Sequence, residues 1–226
     1  MVESNSNKKI QRERIMSYFI RAAIELMDEE NGIHELSIRK VADRAGYNSA
    51  TLYHYFSNLE ELTYYASIGY LTQYAAELPI YLSKGVNSLE KYFLVWECFC
   101  KHSFLHPDIY QLLFFTPING FHLADTFKSY YDIFPIEFSD EIKEYEAMLS
   151  EGDIYKREFF ALKKALEKDD FQIAKQDIMA INEMNILIYR GMLAKVTEAP
   201  HTITVDDAVK KTVLYMKHTV SSYQFL

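Results

Sequence analysis

The 226-residue sequence predicts an all-α protein, on three observations. Hydrophobic residues make up 49% of the chain, and only 7 glycines and 5 prolines occur, which is typical of compact helical domains. Apolar residues recur at intervals of three and four in several segments, the spacing of one face of a helix. Residues 37–56 add the pattern of two short helices joined by a tight turn.

The first helix is predicted over residues 9–30, after a polar segment that we expect to fray. Apolar residues repeat at helical spacing within it: Ile15, Phe19, Ala22 and Leu26. Gly32 can end this helix, because glycine adopts the left-handed backbone of helix C-termini. The apolar face should close a small core with the two helices that follow.

The next two helices carry start and stop signals. Ser37 is a residue type that caps helix starts, and Gly46 can end the helix that follows. A second start comes at once, with Asn48 or Ser49 as its cap. The two helices therefore meet in a tight turn that contains glycine.

The second of these helices should have one buried side and one displayed side. Leu52 and Phe56 are four residues apart and stack on one face, which we expect to be buried. At 100° per residue, Ala50 and His54 point away from that face, with Thr51 and Tyr53 on its flanks. This is the helix-turn-helix layout, in which the second helix enters the major groove of DNA.

Residues 38–62, IRKVADRAGYNSATLYHYFSNLEEL, resemble the DNA-binding signature of the TetR family of bacterial transcriptional repressors. The diagnostic parts are VADRAG, TLYHYF and EEL, and the resemblance covers about the first quarter of the chain. It implies DNA contacts at Ser37, Arg39, Asn48, Ser49, Ala50, Thr51, Tyr53, His54 and Tyr55. Arg39 can make a bidentate contact to guanine, whereas the hydroxyls of Ser37, Thr51 and Tyr55 suit phosphate oxygens.

The sequence departs from the family pattern at two positions. Leu59 stands where the family usually has a lysine before EEL, and Tyr47 replaces a small aliphatic residue. Loss of a phosphate contact should lower DNA affinity and flatten its salt dependence.

A long helix should follow the helix-turn-helix. Ser57 with Glu60 is predicted to form a capping box, and the helix should run to Glu77, before Pro79. We therefore predict a DNA-binding domain at residues 8–56, a connecting helix at 57–79 and an effector-binding and dimerisation domain at 80–226.

The C-terminal region is predicted to be entirely helical. Helices are expected over residues 87–105, 107–115, 120–131, 139–149 and 154–167, followed by a final pair joined by a linker containing Pro200.

The final two helices each carry a heptad seam, with apolar residues at alternating intervals of three and four. The hairpin can pack on its own domain, as in many bundles. The resemblance implies instead a four-helix bundle with a second copy, in which Asn185 would fix the register. The predicted interface residues are Ile178, Ile181, Asn185, Ile188, Met192, Val209, Met216 and Tyr223.

Aromatic residues are dense in the middle of the chain. If the small-molecule pocket of the family is present, it should lie among Trp96, Phe99, Tyr110, Phe114, Phe121, Phe127 and Tyr130. Such walls favour a small, largely apolar or aromatic effector.

The charge distribution fits a protein that binds DNA through one region. The net charge is −8, yet residues 8–21 contain five basic side chains against one acidic, a net of +4. No signal peptide or membrane span is recognisable, and the two cysteines are too close to pair, so we expect a cytoplasmic protein.

Other functional classes have weaker support. Cys98 and His102 lie one helical turn apart, but with Cys100 and His106 they match no zinc signature, so no metal or cofactor is predicted. No catalytic triad, phosphate loop or metal-hydrolase pair occurs, so no catalytic residue is predicted.

The sequence thus predicts a homodimeric regulator, a repressor by resemblance, that binds a pseudo-palindromic operator and is released by a small effector. The alternatives are an all-α ligand-binding protein or enzyme with an incidental helix-turn-helix, and a metal-sensing regulator using Cys98 and His102.

Overall fold

The computed structural model describes residues 2–30, 32–117, 123–168 and 173–223, and within these ranges the fold is all-α, as predicted. The helices are α1 (Val2–Glu29), α2 (Ile38–Ala45), α3 (Ser49–Leu52), α4 (Leu59–Leu82), α5 (Ser88–Leu105), α6 (Pro107–Phe115), α7 (Leu123–Ile133), α8 (Glu146–Leu149), α9 (Ile154–Lys168), α10 (Lys175–Glu198) and α11 (Val205–Ser222). Short 3-10 turns lie at Lys143–Tyr145 and Pro200–Thr202. No helix in the described ranges is both long and apolar enough to cross a membrane.

The chain divides into two compact units. Unit 1 comprises residues 1–70 and 108–137, and unit 2 comprises residues 71–107 and 138–226. The helices α6 and α7 thus belong with the N-terminal helices, and α4 contributes residues to both units. The domain boundaries proposed from the sequence stay a prediction.

In unit 1, α1 packs against α2 and supplies part of the core of the helix-turn-helix. The helix begins at Val2 rather than Lys9, so the expectation of a frayed start is wrong for this segment. It stops near Gly32, as predicted, where the backbone has φ 148°. A Cβ atom at this position would lie 2.6 Å from Oδ2 of Asp108, which accepts a hydrogen bond from the Ile33 amide.

The start and end of α4 both differ from the prediction. Oδ1 of Asn58 accepts the Glu61 amide at 2.8 Å, and the Glu61 carboxylate accepts the Ser57 amide. The cap is therefore one residue later than the Ser57–Glu60 box predicted. The helix also continues through Pro79 to Leu82, because Leu78, Tyr81 and Leu82 are buried and their tertiary packing outweighs the lost hydrogen bond.

Unit 2 is built around α5, which packs against α9, α10 and α11. Asn87 caps α5 by accepting the Glu90 amide at 2.8 Å, and the helix ends at Leu105, as predicted. The helix predicted over residues 139–149 is reduced to the 3-10 turn at Lys143–Tyr145 and to α8. Neither piece has a side-chain cap, which leaves each at a single turn. The helix predicted over 120–131 appears as α7, and the start of that prediction lies outside the described residues.

The heptad seam of α10 and α11 faces the interior of unit 2. Ile181, Asn185, Met192, Val209 and Met216 are all buried within the subunit, and Ile178, Ile188 and Tyr223 are half-buried. The buried seam residues pack α10 and α11 on each other and on their own unit, and the role of the seam in a dimer interface stays a prediction. The outer faces of the two helices carry different apolar residues: Met179, Met184, Leu187, Leu214 and Tyr215.

Candidate DNA-binding surface and buried polar cavity

In the helix-turn-helix, α2 begins and ends where the sequence predicted, whereas α3 begins where predicted but ends at Leu52, before Phe56. Oγ of Ser37 accepts the Lys40 amide at 3.3 Å and caps α2, which Gly46 ends with φ 77° in the left-handed region. Of the two candidate caps for α3, Asn48 is the one used. Its Oδ1 accepts the Thr51 amide at 2.8 Å and the Thr51 hydroxyl at 3.0 Å.

Leu52 and Phe56 are tucked inward, as predicted. They are 0% and 1% exposed, and the Phe56 amide donates to the Leu52 carbonyl at 3.1 Å. The ring of Phe56 meets Phe19 and Tyr65 edge-on, with centroids 6.3 and 5.6 Å apart. These contacts fix the direction in which α3 and the following turn face.

The opposite side of α3 is exposed to solvent. Ala50, Tyr53 and His54 are exposed, with 57% of Tyr53 accessible, whereas Ser49, Thr51 and Tyr55 are half-buried. The turn after Leu52 therefore presents an aromatic ring and an imidazole outward within two residues. Such groups can make apolar and hydrogen-bonding contacts to base edges.

Arg12 of α1 holds the end of this segment, a role that sequence reasoning did not assign. Its Nη1 and Nη2 donate to the carbonyls of His54 and Tyr55 at 3.0 and 3.2 Å, and its guanidinium lies 5.3 Å from the Tyr55 ring centroid. Cations that bond the last carbonyls of a helix stabilise its C-terminus. The partners are over 40 residues apart, so the sequence showed only that Arg12 belongs to a basic segment.

The three cations of α2 have unequal partners. Hydrogen bonds that Lys40 and Arg44 donate to the carboxylates of Glu30 and Glu29, respectively, raise the pKa values of the two cations and tie both side chains to the end of α1. Arg39 is exposed and its Nε lies 3.8 Å from Oδ2 of Asp43, a solvated pair of little strength. Arg39 is therefore the α2 cation with the weakest hold on its partner.

The aromatic residues predicted to form one pocket divide between the two units. Trp96 and Phe99 line a cavity in unit 2, whereas Tyr110, Phe127 and Tyr130 are buried in the core of unit 1. There the rings pack on neighbouring rings, as in the edge-on contact of Phe127 with Tyr64, and fill the core instead of lining a space. Phe114 is half-buried in unit 1 beside Tyr110, and Phe121 lies outside the described residues.

The cavity in unit 2 is small and largely apolar, with three aromatic residues in its lining. Its volume is about 20 Å³, room for about one water molecule. The lining residues are Tyr74, Val95, Trp96, Phe99, Met148, Ile154, Arg157, Glu158 and Ala161.

A buried polar cluster forms one wall of this cavity. The Glu158 carboxylate is 3% exposed and accepts hydrogen bonds from the Tyr92 hydroxyl, from Trp96 Nε1 at 2.7 Å and from Asn185 Nδ2 at 3.1 Å. Asn185 also donates to the Tyr92 hydroxyl at 2.7 Å. Burial raises the pKa of Glu158 to about 7 and that of Tyr92 well above its usual value. Asn185 thus belongs to this cluster, and its role in setting the register of an interface stays a prediction.

Arg157 occupies the adjoining part of the wall. Its Nη1 donates to the carbonyls of Leu149 and Glu151 at 3.0 and 2.8 Å, so the guanidinium holds the end of α8. The lining of the cavity therefore contains a carboxylate that accepts hydrogen bonds from neutral side chains and a guanidinium that donates to backbone carbonyls.

The cysteines and histidine proposed for a metal sensor do not form a cluster. Both thiols are buried and unoxidised, and burial raises the pKa of Cys98 to about 12. Nε2 of His102 lies 3.3 Å from Oε2 of Glu77. Among the described residues, no group of three or more histidine, cysteine or acidic side chains is arranged to hold a metal ion.

The capped helix pair and the exposed face of α3 define a helix-turn-helix DNA-binding protein. Residues 19–63 match the family model described as bacterial regulatory proteins, tetR family. This match covers the helix-turn-helix segment and agrees with the resemblance predicted from its sequence motif. No curated protein matches the sequence.

Solved structures share the fold along most of the chain. Thermus thermophilus FadR, a TetR-family transcriptional repressor in complex with lauroyl-CoA, is 13% identical with a TM-score of 0.58, over 90% of this chain and 94% of that one. A TetR-family transcriptional regulator from Streptomyces coelicolor is 14% identical with a TM-score of 0.52, over 92% and 99% of the two chains. The chain is therefore similar in fold to these two regulators over 90% or more of its length.

Proposed function

We propose that the chain is a TetR-family regulator that represses transcription by binding a pseudo-palindromic operator as a homodimer, and that a small aromatic or apolar effector releases it. The observation that carries the proposal is the exposure of Tyr53 and His54 beside a fully buried Leu52 and Phe56. A core that fixes the segment so firmly gives the exposed side chains a defined direction. In a helix-turn-helix dimer the two reading segments enter major grooves about 34 Å apart.

The base-reading roles fall on the residues with the most accessible side chains. Arg39 is suited to guanine, and Tyr53 and His54 to neighbouring base edges, while the hydroxyls of Ser37 and Thr51 suit phosphates. The backbone amides at the start of α4, where Leu59 replaces the usual lysine, are left without that extra cation. We therefore expect weaker DNA binding with a shallower salt dependence than a lysine there would give.

The outer faces of α10 and α11 support the homodimer. Met184, Leu187, Leu214 and Tyr215 are each more than 40% exposed, although most of the inner seam of the same helices is buried. The helices α10 and α11 pack on each other, and the Tyr223 hydroxyl lies 3.7 Å from Sδ of Met184. Exposed apolar residues concentrated on neighbouring helices are typical of protein interfaces, and here a second copy would cover them.

Release by an effector requires that the ligand bind one geometry of the dimer better than the other. The cavity beside Glu158, in unit 2, is lined by aromatic residues and a buried carboxylate. Small-molecule sites typically combine such groups. The lauroyl-CoA in the Thermus FadR structure shows that a relative of the same fold holds a ligand.

A gel-shift titration on the DNA upstream of its own gene tests the DNA-binding role. The wild-type chain should form a sequence-preferring, salt-sensitive complex, and Tyr53→Ala and Arg39→Ala should each weaken it by about 1–3 kcal/mol. Tyr155→Ala, which removes an exposed tyrosine of unit 2, is the matched control and should bind as the wild type does. Equal affinity for unrelated DNA would contradict the proposal.

Sedimentation of the full chain tests the dimer. Leu187→Glu places a charge on the outer face of α10 and should yield monomers that bind DNA poorly. Phe160→Glu changes an exposed apolar residue of α9 and should leave the dimer intact. A wild-type chain that sediments as a monomer at all concentrations would exclude the homodimer.

A further inference from the structure

In unit 2, the buried carboxylate of Glu158 and three aromatic side chains line the same cavity. The three groups that bond the Glu158 carboxylate, from Tyr92, Trp96 and Asn185, are all neutral donors. Among the described residues, no cationic side chain forms an ion pair with it. A buried carboxylate without a counter-ion is costly, and folded proteins retain few of them.

The rest of the wall suits a positive charge. Trp96 and Phe99 meet edge-on with centroids 5.6 Å apart, and Tyr74 meets Phe99 in the same way at 5.4 Å. All three line the space that the carboxylate borders. Aromatic rings attract organic cations through the negative potential of their faces, most strongly where water is excluded.

Arg157 also lines the cavity and would favour a negatively charged ligand. Its Nη1 already donates to two backbone carbonyls, those of Leu149 and Glu151. The guanidinium is thus held by oxygen atoms of the chain, whereas the carboxylate of Glu158 is met only by neutral groups. The Glu158 carboxylate is therefore the group in this lining whose charge a cationic ligand would compensate.

We propose that this cavity binds the charged nitrogen of an organic ammonium compound, with Glu158 as counter-ion and Trp96 as aromatic partner. The proposal rests on the proposed function, because it gives the effector of this regulator a chemical class. A cavity of about 20 Å³ must enlarge to admit such a compound. Met148 is the flexible side chain of the lining that can move to make room.

Trp96 makes the test specific to this site, because it is the single tryptophan of the chain. The full-length protein, without DNA, is titrated with three probes of similar size: phenethylammonium, 2-phenylethanol and 3-phenylpropionate. We expect the cation to change the Trp96 emission and to bind about tenfold or more tightly than the other two, since charged hydrogen bonds and cation–π contacts each add affinity. Preference for the anion, equal binding of all three probes, or no binding would overturn the proposal.

Three variants test which side chains cause the preference for the cation. Glu158→Gln keeps the shape of the side chain and should abolish the preference for the cation, whereas Glu146→Gln, an exposed change on α8, should preserve it. Met148→Ala, which retains the carboxylate and widens the cavity, should bind phenethylammonium more tightly than the wild type. An unchanged preference for the cation in Glu158→Gln would overturn the proposal. If Glu158→Gln does not fold, the loss of this preference in Met148→Ala would overturn the proposal instead.

The result of the ligand titration can be distinguished from the result of the operator-binding test. Cation binding that leaves operator affinity unchanged would support the site and refute ligand-driven release. Operator binding without any cation preference would support the regulator and refute the site.

Discussion

The cores of the two units bury different kinds of side chain. In the helix-turn-helix of unit 1, Phe19, Leu52 and Phe56 meet through apolar and ring contacts. In the described part of the chain, the buried side chains that can carry a charge, His102, Arg157 and Glu158, all belong to unit 2. An apolar core holds a surface in one arrangement at low cost, whereas a buried polar cluster is stable only while its bonds are kept. The comparison suggests that unit 1 is built for a fixed shape and unit 2 for a response.

Removing a ring from the core of unit 1 should have the largest effect. Phe56→Ala leaves a cavity beside Phe19 and Tyr65, and we expect it to lower the free energy of unfolding by about 3–5 kcal/mol and to abolish operator binding. Urea unfolding followed by far-ultraviolet circular dichroism measures the change. Tyr53→Ala is the control on the exposed side and should change stability by less than about 0.5 kcal/mol. Similar losses from both variants would mean that the core does not fix the reading segment.

The response of unit 2 should appear as a pH dependence of stability. Because the pKa of Glu158 is raised from 4.5 to about 7, the folded chain binds a proton in this interval that the unfolded chain does not. The contribution of this bound proton to the free energy of unfolding is fully present below about pH 4.5 and is lost as the pH rises to about 7. Glu158→Gln removes this titration, so the variant should gain on the order of 3 kcal/mol relative to the wild type between those limits. Urea unfolding at a series of pH values measures the difference, and parallel curves would contradict it.

The smallest expected effect concerns the cap of α4, where sequence and structure assign different residues. Asn58→Ala removes the group that accepts the Glu61 amide and should cost about 1 kcal/mol. Ser57→Ala leaves that cap intact and should cost only a few tenths of a kcal/mol. The same unfolding assay compares the pair. A larger loss from Ser57→Ala would restore the capping box predicted from the sequence.

The helix-turn-helix could be predicted because its determinants are local. Ser37, Gly46, Asn48, Leu52 and Phe56 act over spacings of a few residues, and each has the role that its residue type and spacing indicated. Helix propensity, capping and periodicity are properties of short segments, so one sequence is enough to recognise them.

The cluster of unit 2 could not be predicted, because its members are far apart in sequence. Tyr92 and Asn185 are separated by 93 residues, and Glu158 looks like one of many acidic residues of a helix until α9 packs on α5. Asn185 also illustrates what a heptad pattern leaves open, because the bonds that it makes to Tyr92 and Glu158 have no counterpart in that pattern. A heptad seam shows that a helix packs along one face, but not whether its partner is the same chain or a second copy.

Cys98 and Cys100 give the chain a natural chemical probe of opening in unit 2. Only a thiolate reacts readily with an alkylating reagent, and burial raises the pKa of both cysteines far from neutrality. The native chain should therefore resist modification, and each reaction that does occur should report an excursion that exposes α5 to water. The rate of alkylation, followed by mass spectrometry with and without a bound compound, would time those excursions in the unaltered protein.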